Sequence, residues 1–497
     1  MVSVRGSACF ISAVLILVQT GVLLESGALE EAGSDIYITS ESGLSSSSFV
    51  RSGSGTQLSP YVISDWNMSD HYIRIENTQS NLIIRNITFS SDSSWALYLN
   101  NADNIVIKNV TSTGRGRFLY SGSCDDIRVE ECNVTSIPDQ TNVVEVWSGT
   151  GITITKSRFV NASHASANIF FDNYGNNQRF TTNYLEGIPL EDSLFGNDGY
   201  IFNCTFKDSP VTLGRGQGGA KISSCIFNSP GENALSLSNC NYMDIKDNWF
   251  HGTNGIYFAA AQYLTGSTYG NINNNTFESC DHGILSTQNP FNVYTSLWQL
   301  YDNYFGNCST YAIDWGRGGS NKIWRNIFYH NAGTDNLTAG SQCKQFNYGS
   351  YYKNDWTVGS SGNFWANHRT PDADKNGIVD NPYTINAGGT DTIPFTNPYF
   401  DTETPTVEIT SPTDLYPDRS YITVHWDAAD IGSGIEKIEM KVDSGPWVDV
   451  TGTSFRSIFL KEGNHFVEVK VTDRAGLTNL SRRQYILQKT VEVIDLI

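Results

Sequence analysis

The sequence predicts an all-β protein whose larger part is a right-handed parallel β-helix of about 12 rungs. The first observation behind this prediction is a short block, Ile-x-x-[Asn/Cys/Ser]-x-Phe, that recurs along the chain. Its last residue falls at Phe206, Phe227, Phe250, Phe277, Phe305 and Phe328. Successive blocks end 21 to 28 residues apart, which is the length of one coil rather than of a domain.

The second observation is the pattern inside each block, where apolar and polar residues alternate with the period of a strand that buries one face. One coil cannot bury that face alone, whereas stacked coils bury a continuous core and pair each strand in parallel with the next. The fourth block position carries Asn248, Asn275, Asn303 and Asn326. We therefore expect a buried column of amides that hydrogen-bond along the axis.

The third observation is composition. The chain has 497 residues, more than one compact core usually holds, and 44 of them are Gly. Abundant Asn, Ser, Thr and Tyr favour turns and strands, which excludes a helical bundle or a doubly wound α/β enzyme. Lys and Arg total 32 against 51 Asp and Glu, a net charge of −19. Such a field repels phosphates, so no nucleic-acid partner is expected.

Residues 1–28 predict a signal peptide for export. Arg5 precedes an apolar stretch from Ala8 to Leu24, and small residues near Ala28 suit cleavage. An uncleaved anchor is the alternative, but this stretch contains polar residues and is shorter than the roughly 20 residues of a membrane span. We expect a secreted or cell-surface protein without a transmembrane domain in its mature chain, whose Asn-x-Ser/Thr triplets are potential glycosylation sites.

The β-helix is predicted to occupy residues 81–400, behind an N-terminal cap at residues 34–80 that covers its first open edge. Four runs flank the coils: Gly53-Ser54-Gly55-Thr56, Pro60-Tyr61-Val62-Ile63-Ser64-Asp65-Trp66, Gly362-Asn363-Phe364-Trp365 and Asn381-Pro382-Tyr383-Thr384-Ile385. Together with the coil block they resemble the NosD-like β-helix family, and most of all its exported surface members. The resemblance covers about residues 34–400 and implies the same fold.

A second, smaller domain is predicted at residues 404–490. Here the coil repeat stops, and short alternating strands are separated by Gly, Pro, Asp and Asn turns. The runs that begin at Pro405 and Val469 resemble bacterial immunoglobulin-like modules of surface proteins. We therefore expect a small immunoglobulin-like β-sandwich.

A structural Ca²⁺ site is predicted in the loop 372–380 at the exit of the β-helix. Its ligands would be the side-chain oxygens of Asp372, Asp374, Asn376 and Asp380 and the backbone carbonyl of Ile378. Gly377 permits the sharp turn of such loops. The bidentate Glu of an EF-hand is missing, because Tyr383 stands at position twelve, so the loop resembles the shorter calcium loops of exported repeats. The alternative is a turn of Asp, Asn and Gly without metal.

The NosD-like resemblance suggests a copper site, but the residues of this chain do not support a dedicated one. The eight His show no paired spacing, the chain has four Met, and most Cys are expected to face inward.

Outward-facing residues in the later coils indicate carbohydrate chemistry. Asp247 and Asp302 would lie two rungs apart, roughly 10 Å, within rotamer reach of the carboxylate spacing of an inverting glycosidase. His282 offers a possible base. The candidate sugar contacts are Lys246 for an acidic group and Tyr301 and Trp324 for ring stacking.

Two functions follow from these residues. The first is a structural or binding role at the cell surface, directed at carbohydrate or other surface components. The second is hydrolysis or lysis of a polysaccharide on the outer face of the β-helix. The motifs of polygalacturonases are incomplete in this chain, because an adjacent Asp-Asp pair occurs only at Asp125-Asp126, several rungs away. The binding role is therefore preferred.

Overall fold

The structure is a computed structural model that describes residues 29–90, 95–114, 117–136, 142–161, 168–172, 177–192, 198–214, 219–259, 266–286, 295–316, 318–333, 341–345, 353–398, 404–412, 421–430, 435–473 and 475–487. The predicted signal peptide lies outside these residues. The chain divides into two compact units. The larger takes in the described part of Val22–Ala373 and Val379–Pro394, and the smaller includes Asp374–Ile378 and the described part of Phe395–Ile497.

The larger unit is a right-handed parallel β-helix, and this prediction is confirmed. Each coil contributes a strand to each of three parallel sheets, and each strand pairs with its equivalents on the coils before and after. Such stacking buries the inward side chains of every coil against those of its neighbours. The alternating apolar and polar residues of the coil block therefore correspond to the inner and outer faces of these strands.

The strand bounds follow the chain around the coils, and the longer strands bend from one sheet into the next. Sheet 1 contains Tyr61–Ser64, Leu82–Ser90, Ile105–Thr113, Arg128–Glu130, Thr153–Thr155, Arg179–Thr181, Tyr200–Phe202, Lys221–Ser223, Asp244–Lys246, Asn271–Asn273, Gln299–Tyr301 and Lys322–Trp324. Sheet 2 contains Glu30–Glu31, Trp66–Met68, the ends of Leu82–Ser90 and Ile105–Thr113, Asn133–Ser136, Arg158–Asn161, Tyr184–Glu186, Thr205–Lys207, Ile226–Ser238, Trp249–Phe258, Thr276–Glu278, Tyr304–Gly306, Ile327–Tyr329 and Phe364–Trp365. Sheet 3 contains Ile36–Ile38, Ile73–Thr78, Leu97–Ala102, Leu119–Gly122, Asn142–Trp147, Asn168–Asp172, Leu190–Asp192, Val211–Gly214, the ends of Ile226–Ser238 and Trp249–Phe258, His282–Ser286, Tyr311–Trp315 and Cys343–Gln345.

The corner between sheets 1 and 2 is a single residue in the left-handed backbone conformation. These residues have φ between 50° and 67° and are Asp65, Asn86, Asn109, Glu131, Lys156, Thr182, Asn203, Ser224, Asp247, Asn274, Asp302 and Arg325. They are the third residues of successive coil blocks. Asn and Asp adopt this conformation more readily than other non-Gly residues, because their short polar side chains hydrogen-bond locally. The next residue of each block then enters the core.

The core contains a continuous stack of aromatic rings along the axis. The rings belong to Phe206, Phe227, Phe250, Phe277, Phe305, Phe328, Trp365 and Tyr383, and neighbouring centroids lie 3.9 to 5.2 Å apart. These Phe residues are the sixth block positions, so the period of the sequence becomes the period of the stack. Trp365 and Tyr383 continue the stack beyond the last Phe.

The predicted amide column is confirmed. Asn248, Asn275, Asn303 and Asn326 are all buried. Each donates its Nδ2 to the Oδ1 of the next Asn at 2.9 to 3.0 Å, and the last of them donates to Asn363. The Oδ1 atoms of Asn275, Asn303, Asn326 and Asn363 each also accept the backbone N–H of the preceding Asn. The Oδ1 of Asn248 accepts that of Cys225. The column thereby satisfies polar backbone groups inside an otherwise apolar core.

The amide column ends at Asp391, which is fully buried. This residue belongs to a two-stranded antiparallel hairpin, Tyr383–Ile385 with Gly389–Asp391. Its Oδ2 accepts the backbone N–H of Asn363 at 2.7 Å and the indole N–H of Trp365 at 2.9 Å. The same hairpin therefore contributes Tyr383 to the end of the ring stack and Asp391 to the end of the amide column.

The N-terminal segment 34–80 carries both a helix and the first parallel strands. The helix Glu41–Ser46 is capped by Ser40, whose Oγ accepts the backbone N–H of Gly43 at 3.1 Å. Val50–Ser52 pairs antiparallel with the first strand of sheet 1. Parallel pairing thus begins before residue 81, where the sequence placed the start of the coils. The described residues contain only one further helix, the 3₁₀ turn Asn331–Gly333, and neither helix is long and apolar enough to span a membrane.

The C-terminal unit contains two antiparallel sheets with a hydrophobic core of their own. One sheet has the strands Thr406–Ser411, Tyr421–Ala429 and Phe455–Phe459, and the other has Val448–Asp449, Ile435–Val442, Gly463–Asp473 and Thr478–Leu487. Trp426, Val424 and Val469 are among the buried core residues. The predicted β-rich C-terminal region is therefore present, and the immunoglobulin-like assignment stays a prediction.

Candidate functional site

The candidate site is the outer side of sheet 1 over the coils from Tyr200 to Trp324, hereafter the front face. Two columns of outward side chains cross it, and the strand pairing places each side chain beside its equivalent on the next coil. The first column is Tyr200, Lys221, Asp244, Asn271, Gln299 and Lys322. The second column is Phe202, Ser223, Lys246, Asn273, Tyr301 and Trp324. Neighbouring coils are about 4.8 Å apart.

Aromatic side chains occupy both ends of the front face. Tyr200 and Phe202 lie on the first coil with their ring centroids 5.5 Å apart. Tyr301 and Trp324 lie on the last two coils and stack at 4.8 Å with an angle of 20° between the rings. Each of these two rings thus covers one face of the other.

Between the aromatic ends the front face is polar and carries two lysines and one aspartate. Lys221 and Lys246 are exposed, while Asp244 is partly exposed. The remaining positions between the ends are Ser223, Asn271, Asn273 and Gln299. Amides and hydroxyls both donate and accept hydrogen bonds, so this surface can pair with the hydroxyl groups of a ligand in either direction.

The two predicted catalytic acids lie on one edge of the front face, in the left-handed corner that leads to sheet 2. Asp247 accepts a hydrogen bond from the Nδ2 of Asn274 at 2.6 Å. Asp302 is held by two bonds from Arg325, Nε to Oδ1 and Nη2 to Oδ2, both at 2.7 Å. Burial raises the pKa of Asp302, and the bonds from Arg325 act in the opposite direction. The intervening coil places Asn274 between the two acids.

His282, the predicted base, is not on the front face. It begins the strand His282–Ser286 of sheet 3, where it pairs with Asn254 and Tyr311 of the neighbouring coils. Burial lowers the pKa of this half-buried imidazole. The structure therefore brings Asp247, Asp302, Lys246, Tyr301 and Trp324 to the front face, and it places the histidine on another sheet.

Sequence reasoning missed four aromatic residues of this region. Tyr200 and Phe202 flank Ile201, the first position of the block that ends at Phe206, and this place in the block is the signal that could have marked them as outward. Tyr242 and Tyr269 lie at the other edge of the front face, in the corner between sheets 3 and 1, and their rings stack at 5.3 Å. Their signal in the sequence is their place three residues before Ile245 and Ile272, the first positions of two blocks.

The predicted calcium loop places three carboxylates together. One oxygen from each of Asp372, Asp374 and Asp380 lies within 4.8 Å of the others. Oxygens that bind one Ca²⁺ at 2.3 to 2.6 Å can be at most about 5 Å apart, so this spacing fits the ion. Asp380 also accepts the N–H of Ala373 at 2.9 Å, and Asn376 accepts that of Ile378 at 2.8 Å.

Comparison with known proteins supports the repeat class. Residues 186–348, which include the front face, match the family described as right handed beta helix region. The chain is therefore of the β-helix repeat class, and the NosD-like relation stays a prediction. No curated protein matches the chain in sequence.

Two solved structures illustrate what this chain is similar to in fold. The periplasmic alginate epimerase AlgG is 11% identical over 58% of this chain and 80% of its own, with a TM-score of 0.28. A tailspike protein of E. coli bacteriophage HK620 is 10% identical over 85% of each chain, with a TM-score of 0.34. At these identities and TM-scores, neither structure says what this chain binds.

Proposed function

We propose that this chain is an exported surface protein that binds a polysaccharide on the front face. The observation that carries the proposal is the register of that face, which sets aromatic rings at both ends of a floor of amides, hydroxyls and single charges. Apolar faces of sugar rings pack on aromatic side chains, and sugar hydroxyls pair with amides. Export enters this proposal as a prediction of the sequence, since residues 1–28 are not described.

The aromatic pair Tyr301 and Trp324 is expected to supply a large part of the affinity. Because the rings stack on each other, truncating either one removes one sugar contact and leaves the other ring less firmly held. We expect Tyr301→Ala and Trp324→Ala each to weaken polysaccharide binding by about tenfold or more. Affinity electrophoresis in gels that contain soluble polysaccharides, followed by calorimetry with the best ligand, measures this effect.

Tyr37→Ala is the matched control, since Tyr37 is an exposed tyrosine on sheet 3. It should bind as the wild type does. Unchanged affinity in both front-face variants would contradict the proposed site. The enzyme alternative predicts new reducing ends or unsaturated products that disappear in Asp302→Asn, and such turnover would replace the binding role. Asp247 is hydrogen-bonded to Asn274 and Asp302 to Arg325, and these contacts give no specific support to catalysis.

We further propose that Asp372, Asp374 and Asp380 hold Ca²⁺, with Asn376 and the carbonyl of Ile378 completing the site. The support is the convergence of three carboxylates, whose mutual repulsion a cation would relieve. Chelation should lower the melting temperature, and excess Ca²⁺ should restore it. A hundredfold excess over the dissociation constant contributes about 2.7 kcal/mol.

Differential scanning calorimetry with calcium and with chelator measures this response. Asp374→Ala should lose the response and keep the β-type circular dichroism, because the coils do not need the metal to stack. Lys375→Ala, in the same loop but without a ligand role, should keep it. Identical unfolding of the wild type in calcium and in chelator would rule the ion out.

A further inference from the structure

The corner between sheets 3 and 1 has an unusual composition at the front face. On each coil this corner is one residue with positive φ. The residues are Asn104, Asp126, Gly151, Asn177, Asp198, Gly219, Tyr242, Tyr269, Leu297 and Ser320. All are Asn, Asp, Gly or Ser except three on consecutive coils, Tyr242, Tyr269 and Leu297. Their φ values are 56°, 58° and 64°.

These three residues are unfavourable for the stability of the fold, because their backbone conformation is strained and their side chains are exposed. For an L-residue other than Gly, Asn or Asp, the left-handed conformation costs roughly 1 to 2 kcal/mol. The side chains are also largely exposed, at 59% for Tyr242, 50% for Tyr269 and 38% for Leu297. They therefore gain little from burial. Every coil imposes this conformation at the corner, so the fold explains the conformation but not the choice of Tyr and Leu for it. Exposed residues that carry such strain are candidates for ligand contacts.

The two tyrosines are placed to extend the front face. Each stands two residues before an outward residue of the first column, Asp244 for Tyr242 and Asn271 for Tyr269. The pair Tyr301 and Trp324 lies on the following coils, in the second column. The two aromatic pairs are thus offset along the axis and across the sheet, with only polar side chains between them.

We propose that Tyr242 and Tyr269 bind the polysaccharide together with Tyr301 and Trp324, and that the polysaccharide is uncharged. This inference rests on the proposed function. The chain of sugars crosses the front face diagonally from the corner tyrosines to the second column.

The charges on this path select an uncharged ligand. The side chains between the two aromatic pairs are Asp244, Lys246, Asn271, Asn273, Gln299 and Lys322, that is, one acid, two bases and three amides. Asp244 shares its strand with Lys246 and lies beside Lys221 of the preceding coil, while Lys322 lies three coils further on. The cations are therefore spread out, and a polyanion finds no cluster of them on this path. The net charge of −19 over the chain adds a long-range repulsion of polyanions. Hydrogen bonds to amides need no charge on the ligand.

The test replaces both tyrosines by the residue that this corner otherwise uses. The variant Tyr242→Asn/Tyr269→Asn relieves backbone strain, so its melting temperature should equal or exceed that of the wild type. Its affinity should nevertheless fall by about tenfold. A variant damaged in its fold would instead melt earlier, so the two readouts separate a binding role from a structural one. Tyr242→Phe/Tyr269→Phe keeps the rings and should keep the affinity.

Affinity electrophoresis with laminarin, mannan and xylan as neutral polymers, and polygalacturonate and alginate as uronic-acid polymers, tests the ligand class. We expect binding to a neutral polymer that is unchanged between low and high salt. Preference for a uronic-acid polymer, with affinity that falls as salt rises, would overturn the uncharged ligand. Wild-type affinity in the asparagine variant would overturn the role of the tyrosines while leaving the proposed function intact. Failure of the wild type to bind any of these polymers would refute both proposals.

Discussion

Replacing Asp391 by alanine is expected to lower the free energy of unfolding of the β-helix by about 3 to 6 kcal/mol. The carboxylate is fully buried and accepts hydrogen bonds from the backbone N–H groups of Asn363 and Ile393, the indole of Trp365 and the hydroxyl of Thr357. Alanine leaves these donors unpaired, and each buried orphan costs about 1 to 3 kcal/mol. Burial raises the pKa of this carboxyl against the effect of its donors.

Urea unfolding followed by tryptophan fluorescence is the appropriate measurement, because the indole of Trp365 contacts Asp391 directly. The control is Asp355→Ala, an exposed acid on a neighbouring segment, which should change stability by less than about 0.5 kcal/mol. Equal stability of the two variants would show that the amide column does not depend on its last acceptor.

The Asn275→Leu variant is expected to lose about 2 to 4 kcal/mol of stability, although leucine is the more apolar residue. Asn275 accepts the N–H and Nδ2 of Asn248 and donates to the carbonyls of Ile245 and Asn273. Leucine removes these four bonds, and the bond from Asn275 to Asn303, at once inside the core. The backbone N–H of Asn248 and the carbonyl of Ile245 are then left without these partners in a site that excludes water.

Asn273→Leu is the matched control for this variant, because Asn273 is two residues away and points outward on the front face. Its stability should stay within about 0.5 kcal/mol of the wild type. Thermal and urea unfolding of both variants measure the difference. A stabilised Asn275→Leu chain would mean that the amide column contributes nothing beyond its volume.

The repeat made most of the β-helix predictable. The block assigns Asn275 to the interior because it is a fourth position, and the same positions must face inward on every coil for the coils to stack. The front-face residues Lys246, Tyr301 and Trp324 were predictable for the same reason. They share one block position, so parallel stacking brings them into one column.

Other features could not be predicted from the sequence, because they depend on contacts between distant segments of the chain. The two hydrogen bonds from Arg325 to Asp302 depend on which side-chain rotamers the neighbouring coils allow. The placement of His282 on sheet 3 depends on where the coil makes its second turn, which varies in length from coil to coil. Asp391 lies 28 residues beyond Asn363 along the chain, in a hairpin that no coil block marks.

The sequence by itself determined the β-helix, its inner amide column and the outward position of the predicted sugar contacts, because one periodic pattern dictates all three. Only the tertiary structure decided that Tyr301 and Trp324 cover each other, that Tyr242 and Tyr269 occupy a strained corner beside them, and that Asp391 completes the column. The physical reason is the separation along the chain of the groups that interact. Alternation is a local property of each strand, whereas ring stacking, backbone strain at a corner and the satisfaction of buried donors depend on groups that meet only after the coils have stacked.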